Sequence, residues 1–371
     1  MAAIEWHRDC REFPGTHACD IMTAEGYESC APCKFYDPIK KKILILKLGA
    51  LGDVLRTTAL LPAIKEKYGP ATKITWVVRE EGKELLKDNQ HIDNILPYSQ
   101  ETVLRLQQEK FDVLFSLEVG PPATNLANLI NSKEKYGFYV ADDGHPAAFT
   151  KDAESYLNTV FSNAINHATK KTYQEMMATV CNLHYKNNPY TLSLTKEEQA
   201  YAKNFLNAKC TKGKKLLGIT VGAGGRWQSK AWHPSRIIEF IEMVKAKTDD
   251  EIILLGGEKE SVVMQKIIEQ LKKKQITVLH NESTNTLRQF AAIINCCDRI
   301  ITNDTLALHL AIALNKKTIA LFFCTPWWQI ETYNGLVTPL ISPLFEKHFM
   351  DDRYDEQLMK SISANEVFEK L

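Results

Sequence analysis

The stretch that most constrains this chain runs from Ile43 to Pro62 and reads ILILKLGALGDVLRTTALLP. It opens with apolar, β-branched residues, Ile43 to Leu46, that suit a strand buried on both faces. Gly49-Ala50-Leu51-Gly52 then makes a tight turn, and from Asp53 the apolar residues recur at helical spacing. A buried strand leading through a glycine turn into a helix is the opening unit of a parallel α/β sheet. In such sheets ligands sit outside the carboxyl ends of the strands, so the loop from Gly49 to Asp53 points into the cleft. Asp53 is the first residue expected to do chemistry.

The same rhythm recurs. Strands are expected at Ile43–Leu48, Lys73–Val78, Asn94–Tyr98, Val113–Leu117 and Tyr136–Val140, with helical segments between them. From about Asn158 to Asn207 the pattern turns to long helical stretches broken at Asn187-Asn188-Pro189, which marks a link. A second series follows at Leu216–Val221, Glu251–Leu255, Gln275–Leu279, Arg299–Thr302 and Lys317–Phe322. The expected organisation is a first α/β domain over residues 40–195 and a second over 196–345, both doubly wound and facing a cleft. A closing segment, 346–371, has Ser363 as a helix cap and is expected to pack back on the first half. With 371 residues, 44% of them hydrophobic, the chain is long enough for two cores. Lysines and arginines number 46 against 45 acids, so no overall field draws in nucleic acid or an anionic bilayer, and anions must be met locally. There is no apolar run of membrane-spanning length and no signal-peptide core, which leads to the expectation of a cytoplasmic protein.

Residues 1–39 stand apart. Cys10, Cys19, Cys30 and Cys33 fall within 24 residues, interspersed with His7 and His17. A cytoplasmic chain of this length does not need disulfides, so the clustered thiols read as ligands of a structural metal, zinc first, with iron or an iron–sulfur centre, and unligated or redox cysteines, as the alternatives. Cys30-Ala31-Pro32-Cys33 is a common half-site, although the remaining spacing matches no standard finger. Either histidine can replace a cysteine. The other cysteines, among them Cys210, read as small buried side chains.

Two further stretches carry chemistry. Thr302-Asn303-Asp304-Thr305-Leu306-Ala307-Leu308-His309 follows an apolar strand and opens a helix, with Asp304 and Thr305 as caps. Such a helix start is a ready anion site, and His309, four residues past Thr305, shares its face. The alternative is an ordinary cap and a core histidine. VGAGGRWQSKAWHP, from Val221 to Pro234, is a glycine-rich loop after a strand: Gly222 and Gly224 permit a close approach of backbone to phosphate, and Lys230 supplies a mobile charge. Neither the dinucleotide fingerprint nor the P-loop pattern is met. Trp327-Trp328 can stack on a base or sugar, or pack at a domain seam.

Taken together, LGALGDVLRTTALLPAIKEKY, the glycine loop ending in SKAWHP, and NDTLALHLAIALNKKTIALF resemble, in the right order, the glycosyltransferase family 9 of bacterial ADP-heptose transferases. The resemblance covers most of Lys41 to about Tyr333. It implies a GT-B fold with the acceptor bound mainly by the first domain and a nucleotide-sugar donor by the second, and an inverting transfer without a catalytic metal. It implies that Asp53 is the general base, that Lys230, Asp304, Thr305 and His309 contact the donor diphosphate, and that Glu258, after Gly256-Gly257, meets the ribose. Leu306 stands where the family commonly has glycine, which bears on the identity of the sugar. Arg56 and Glu118 are expected to touch the acceptor. That acceptor is lipopolysaccharide core, another glycan or a protein, with peripheral attachment at the inner membrane and oligomerisation left open. The cysteine segment is similar in kind to the metal finger of autotransporter-modifying heptosyltransferases, which lies elsewhere in their chains. The competing readings are a non-catalytic binding protein on a degenerate scaffold and a nucleotide-sugar epimerase.

Overall fold

The computed structural model describes residues 4–207, 213–225 and 227–371. Cys210 and the loop residue Arg226 lie outside them. Among the described residues twelve strands are arranged in two sheets. In chain order the first half carries β1 (Lys41–Leu46), β2 (Thr72–Val78), β3 (Asn94–Pro97), β4 (Lys110–Ser116), β5 (Asn131–Val140) and β6 (Pro146–Ala148). The second half carries β7 (Leu216–Thr220), β8 (Glu251–Leu255), β9 (Leu279–His280), β10 (Arg299–Asn303), β11 (Lys317–Phe322) and β12 (Val337–Ile341).

The first sheet runs β3-β2-β1-β4-β5-β6 and is parallel except for β6, which pairs antiparallel with β5. The second, β12-β11-β10-β7-β8-β9, is parallel throughout. Each central strand is buried on both faces, as expected where helices cover both sides of a sheet. Ile43 to Leu46 are buried in turn, with Ile43 in register with Ile74 on one side and Val113 on the other. These are the two doubly wound domains of the GT-B arrangement expected from the sequence.

The differences from expectation are local. β1 stops at Leu46 because the amides of Leu48 and Gly49 donate to a Glu118 oxygen (2.9 and 3.1 Å) instead of to a neighbouring strand. β9 shrinks to two residues because Gln275 has a left-handed backbone (φ 60°) and Ile276 donates back to Leu271, closing a helix where a strand was expected. β6 and β12 are additional: one is three residues long and the other contains Pro339, which suits an edge strand but obscures it in sequence.

The closing segment is a correction. Leu358, Ile362, Ala364 and Val367 are buried with Ile237, Phe240, Ile241 and Val244 of the helix Pro234–Lys247, and Trp232 Nε1 donates to the Ile362 carbonyl (2.9 Å). The last helix, Ala364–Phe368, therefore packs on the second half, because its apolar stripe matches an apolar stripe there. What reaches the first half is the turn Glu346–His348, through a 2.8 Å contact between Glu346 Oε2 and His167 Nε2.

The halves meet along two helices. Leu51–Thr57, which follows β1, lies against Leu306–Ala313, which follows β10, and Leu55 and Ala59 join the apolar cluster of the second half. A buried guanidinium reinforces this seam: Arg288 makes paired bonds to Glu198 (both 2.7 Å) and donates to the carbonyls of Ser193 and Glu84. Among the described residues no helix is long and apolar enough to cross a membrane.

Candidate active site

Both sheets turn their carboxyl ends toward one cavity of about 880 Å³. Its first-half wall includes Ala50, Gly52, Asp53 and Arg56; the facing wall includes Gly222, Gly224, Lys230, Glu258, Asp304, Thr305, Leu306 and His309. A concave site at the switch between two parallel sheets is where ligands of such folds bind. The structure brings together every residue singled out for this site except Glu118.

Asp53 stands in the first turn of the helix that β1 feeds, with its side chain one-third exposed toward the cavity. Arg56 Nη2 lies 2.8 Å from one carboxylate oxygen and Lys47 Nζ lies 3.4 Å from the other. Burial pushes the Asp53 pKa up, but Arg56, Lys47 and His309 outweigh it and hold the carboxyl below its ordinary value. Asp53 is thus anionic and held from both sides. The Arg56 guanidinium stacks on the Tyr173 ring at 3.6 Å, which fixes its plane.

Glu118 does not face the cavity. One of its oxygens accepts from the amides of Leu48 and Gly49 and lies 3.9 Å from Lys47 Nζ. Its carboxylate holds the turn that presents Asp53, so it is not placed to touch an acceptor.

On the second-half wall the expected caps behave differently. Thr305 occupies the N-cap position of Leu306–Ala313, but its side chain makes no capping bond. Asp304 turns away from the helix start: its Oδ2 lies 3.0 Å from Lys230 Nζ and accepts from Thr325 Oγ1 (2.7 Å). Burial raises the Asp304 pKa, yet Lys230 and the other neighbours hold it well below the usual carboxylate range. The first-turn amides are left without a side-chain partner at the cavity wall, which favours an anion there.

His309 is 5% exposed, and its Nδ1 is buried with no hydrogen-bond partner. Burial first, and the charge of Arg56 second, lower its pKa to about 4, so the ring is neutral at pH 7. Leu306 lines the cavity beside it.

The glycine loop is shaped by residues that sequence reasoning did not single out. Gly222 (φ 81°) and Gly224 (φ 74°) take left-handed backbone that other residues rarely adopt. Asn303 Nδ2 donates to the Gly222 carbonyl (2.9 Å) while its Oδ1 accepts from Trp232 N (3.1 Å). Glu260 accepts from the amides of Gly224 (3.2 Å) and Gly257 (3.1 Å), joining the two glycine turns, whereas Glu258 simply lines the wall. Lys47 is the other omission, and its signal was present: a lysine between Leu46 and Leu48, in a run otherwise built for burial. Trp328 resolves toward the seam: it stacks on Phe349 (centroids 5.7 Å apart), carries Lys170 Nζ 3.3 Å above its ring, and does not line the cavity.

Two Rossmann-like domains that close one cleft, with a carboxylate on one wall and an anion cradle on the other, form the arrangement of a GT-B glycosyltransferase. The chain belongs to glycosyltransferase family 9 (heptosyltransferase), whose model matches residues 103–355. It is 24% identical over 289 residues to the lipooligosaccharide heptosyltransferase 2 of Campylobacter jejuni, a match spanning 77% of this chain and 82% of that one. It is also 24% identical over 306 residues to the lipopolysaccharide heptosyltransferase 1 of Campylobacter coli, with 78% and 85% covered. In three dimensions it is similar to the ADP-heptose LPS heptosyltransferase II of Escherichia coli, with a TM-score of 0.65 at 17% identity over 89% of this chain and 97% of that one. At that identity the likeness speaks for the fold.

Proposed function

We propose that this protein transfers a heptose, with inversion, from ADP-heptose to a sugar hydroxyl of a lipopolysaccharide-type core. The observation that carries the proposal is the opposition across one cavity of Asp53 and the cradle made by Lys230, the Thr305–Leu306 helix start and His309. The names of the Campylobacter and Escherichia relatives support the choice of donor and acceptor.

In this reading the donor diphosphate lies against the first-turn amides of Leu306–Ala313, with the Lys230 ammonium beside it. Lys230 is already paired with Asp304, which aims it at the cradle. As the bond from the sugar C1 to the diphosphate lengthens, charge gathers on the departing oxygen, and fixed amide dipoles together with Lys230 stabilise that charge more than they do the ground state. The acceptor hydroxyl approaches C1 from the Asp53 side. Its proton passes to Asp53 as the new C–O bond forms, which inverts the anomeric centre. A carboxylate kept below its ordinary pKa is always ready to accept, and its modest basicity suffices because the proton leaves only as the hydroxyl becomes acidic in the transition state. Neutral His309 supplies a polar ring without adding a positive charge next to Arg56. In this reading Gly222 and Gly224 let the loop backbone close on the donor, and Glu258, which lines the same wall, meets its ribose.

The test is a thermal-shift and calorimetric comparison of ADP-heptose with UDP-, GDP- and CMP-sugars, with Lys230→Ala as control. A stabilising shift specific to ADP-heptose that the variant loses, followed by heptose incorporation into a truncated core acceptor, is the expected result. A shift with another nucleotide sugar and none with ADP-heptose would refute the donor assignment.

A further inference from the structure

Residues 4–39 fold without an apolar core of their own. The helix Asp20–Glu25 buries no side chain, and in the whole segment only Cys10 and Cys30 are buried. Of its large apolar residues, Ile4, Trp6, Phe35 and Tyr36 are exposed, and Phe13, Ile21, Met22 and Tyr27 are only half-buried. Segments of this size that cannot bury enough apolar surface are held by covalent or metal crosslinks.

All four cysteines of the segment line one small cavity at its centre. Two of them begin tight turns, Phe13 donating to the Cys10 carbonyl (3.2 Å) and Cys33 to that of Cys30 (3.1 Å), and Cys19 caps the helix Asp20–Glu25, its carbonyl accepting from Thr23 (3.0 Å). None of the four forms a disulfide. Among the described residues no three His, Cys, Asp or Glu side chains stand together as a ready-made metal site, so the thiols share a cavity and not yet a coordination sphere. Of the two histidines, His7 also lines the cavity: its ring packs on Tyr36 with Nε2 3.3 Å from Glu5 Oε1, and its Nδ1 is buried with no hydrogen-bond partner, whereas His17 contacts Thr16 and does not line the cavity.

We infer that Cys10, Cys19, Cys30 and Cys33 bind one thiolate-preferring metal ion, zinc or iron, which takes the structural place of the missing core. On binding, the four S–H groups release their protons to solvent and four metal–sulfur bonds form, drawing the sulfurs into the cavity they already surround. The ion would be remote from transfer chemistry. Arg11, next to Cys10, is bonded to Asp37 and Asp93 and to the carbonyls of Pro70 and Thr72, which lie where β2 and β3 begin, at the end of the sheet opposite the cleft.

The test is elemental analysis of the full chain, purified anaerobically with reductant and without chelator, together with thiol titration and limited proteolysis. About one zinc or iron per chain is expected, with four thiols that react only after chelation and a segment that chelation opens to protease. Cys30→Ser/Cys33→Ser should lose the metal while the thermal transition of the two domains persists. Should that variant fail to fold, chelation of the unsubstituted protein reads the same dependence. Metal-free protein with a protease-resistant segment, cysteines found paired as disulfides, or full metal content in the double variant would each overturn the inference. None of these readouts depends on the identity of donor or acceptor.

Discussion

Gly52 and His309 touch across the seam between the two halves, so closely that a methyl group on Gly52 would lie 2.4 Å from His309 Cδ2. Gly52 immediately precedes Asp53, and His309 stands one turn into the helix that Thr305 opens, so this contact fixes the spacing between the two walls of the cavity. Gly52→Ala should therefore destabilise the protein by about 1–3 kcal/mol through overpacking and lower activity as well. Pairing it with His309→Ala should return much of the stability but not the activity. Chemical denaturation of the two single variants and the double variant checks this, and independent, additive losses would refute the contact.

Asp53→Asn keeps the shape of the side chain but cannot accept the acceptor's proton. Turnover should fall by about 10²- to 10⁴-fold, with donor affinity nearly unchanged. Initial rates alongside calorimetric titration separate the two effects, and retained turnover would remove Asp53 from the mechanism.

Lys230→Ala leaves Asp304 with Thr325 as its hydrogen-bond partner and without its nearest cation. A stability loss of about 1–3 kcal/mol is expected at neutral pH, together with weakened binding of ADP. The stability loss should shrink on acidification. Asp304 is held well below the carboxylate range in the native state, so the pair stabilises above the unfolded Asp pKa of about 3.9 and loses that contribution as pH falls toward the native value. Denaturation at pH 7 and at the lowest pH where the fold survives tests the sign.

His309 acts in a different pH window. Its native pKa of about 4 lies below the roughly 6.5 of an unfolded histidine, so between those values the unfolded chain takes up a proton that the fold refuses. Stability should fall as pH drops from about 6.5 to 4, by about 3 kcal/mol over the window. His309→Gln should flatten that part of the curve. An unchanged slope in the variant would assign the acid sensitivity to another group.

Strands with continuous apolar runs, such as ILIL in β1 and EIILL in β8, were legible in sequence because burial on both faces leaves no other composition. Edge strands that tolerate proline, and a helix end closed by a left-handed glutamine, left no such trace. Site residues were legible where they stood beside glycine or at a helix start. Asn303 and Glu260 were not, because each acts on backbone groups brought near by tertiary structure, whereas Lys47 did leave a trace as a lone charge in an apolar run. Glu118 shows the converse: a carboxylate at a strand end looks the same in sequence whether it faces a ligand or, as here, turns inward to hold a loop.

The position of the Arg11 tether has a practical side. Because the leading segment is anchored where β2 and β3 start, and substrates enter where the strands end, the molecule has a back and a front. A surface, a tag or another macromolecule attached to the back would leave the entrance unobstructed, so the protein can be tethered there and still be fed from the front.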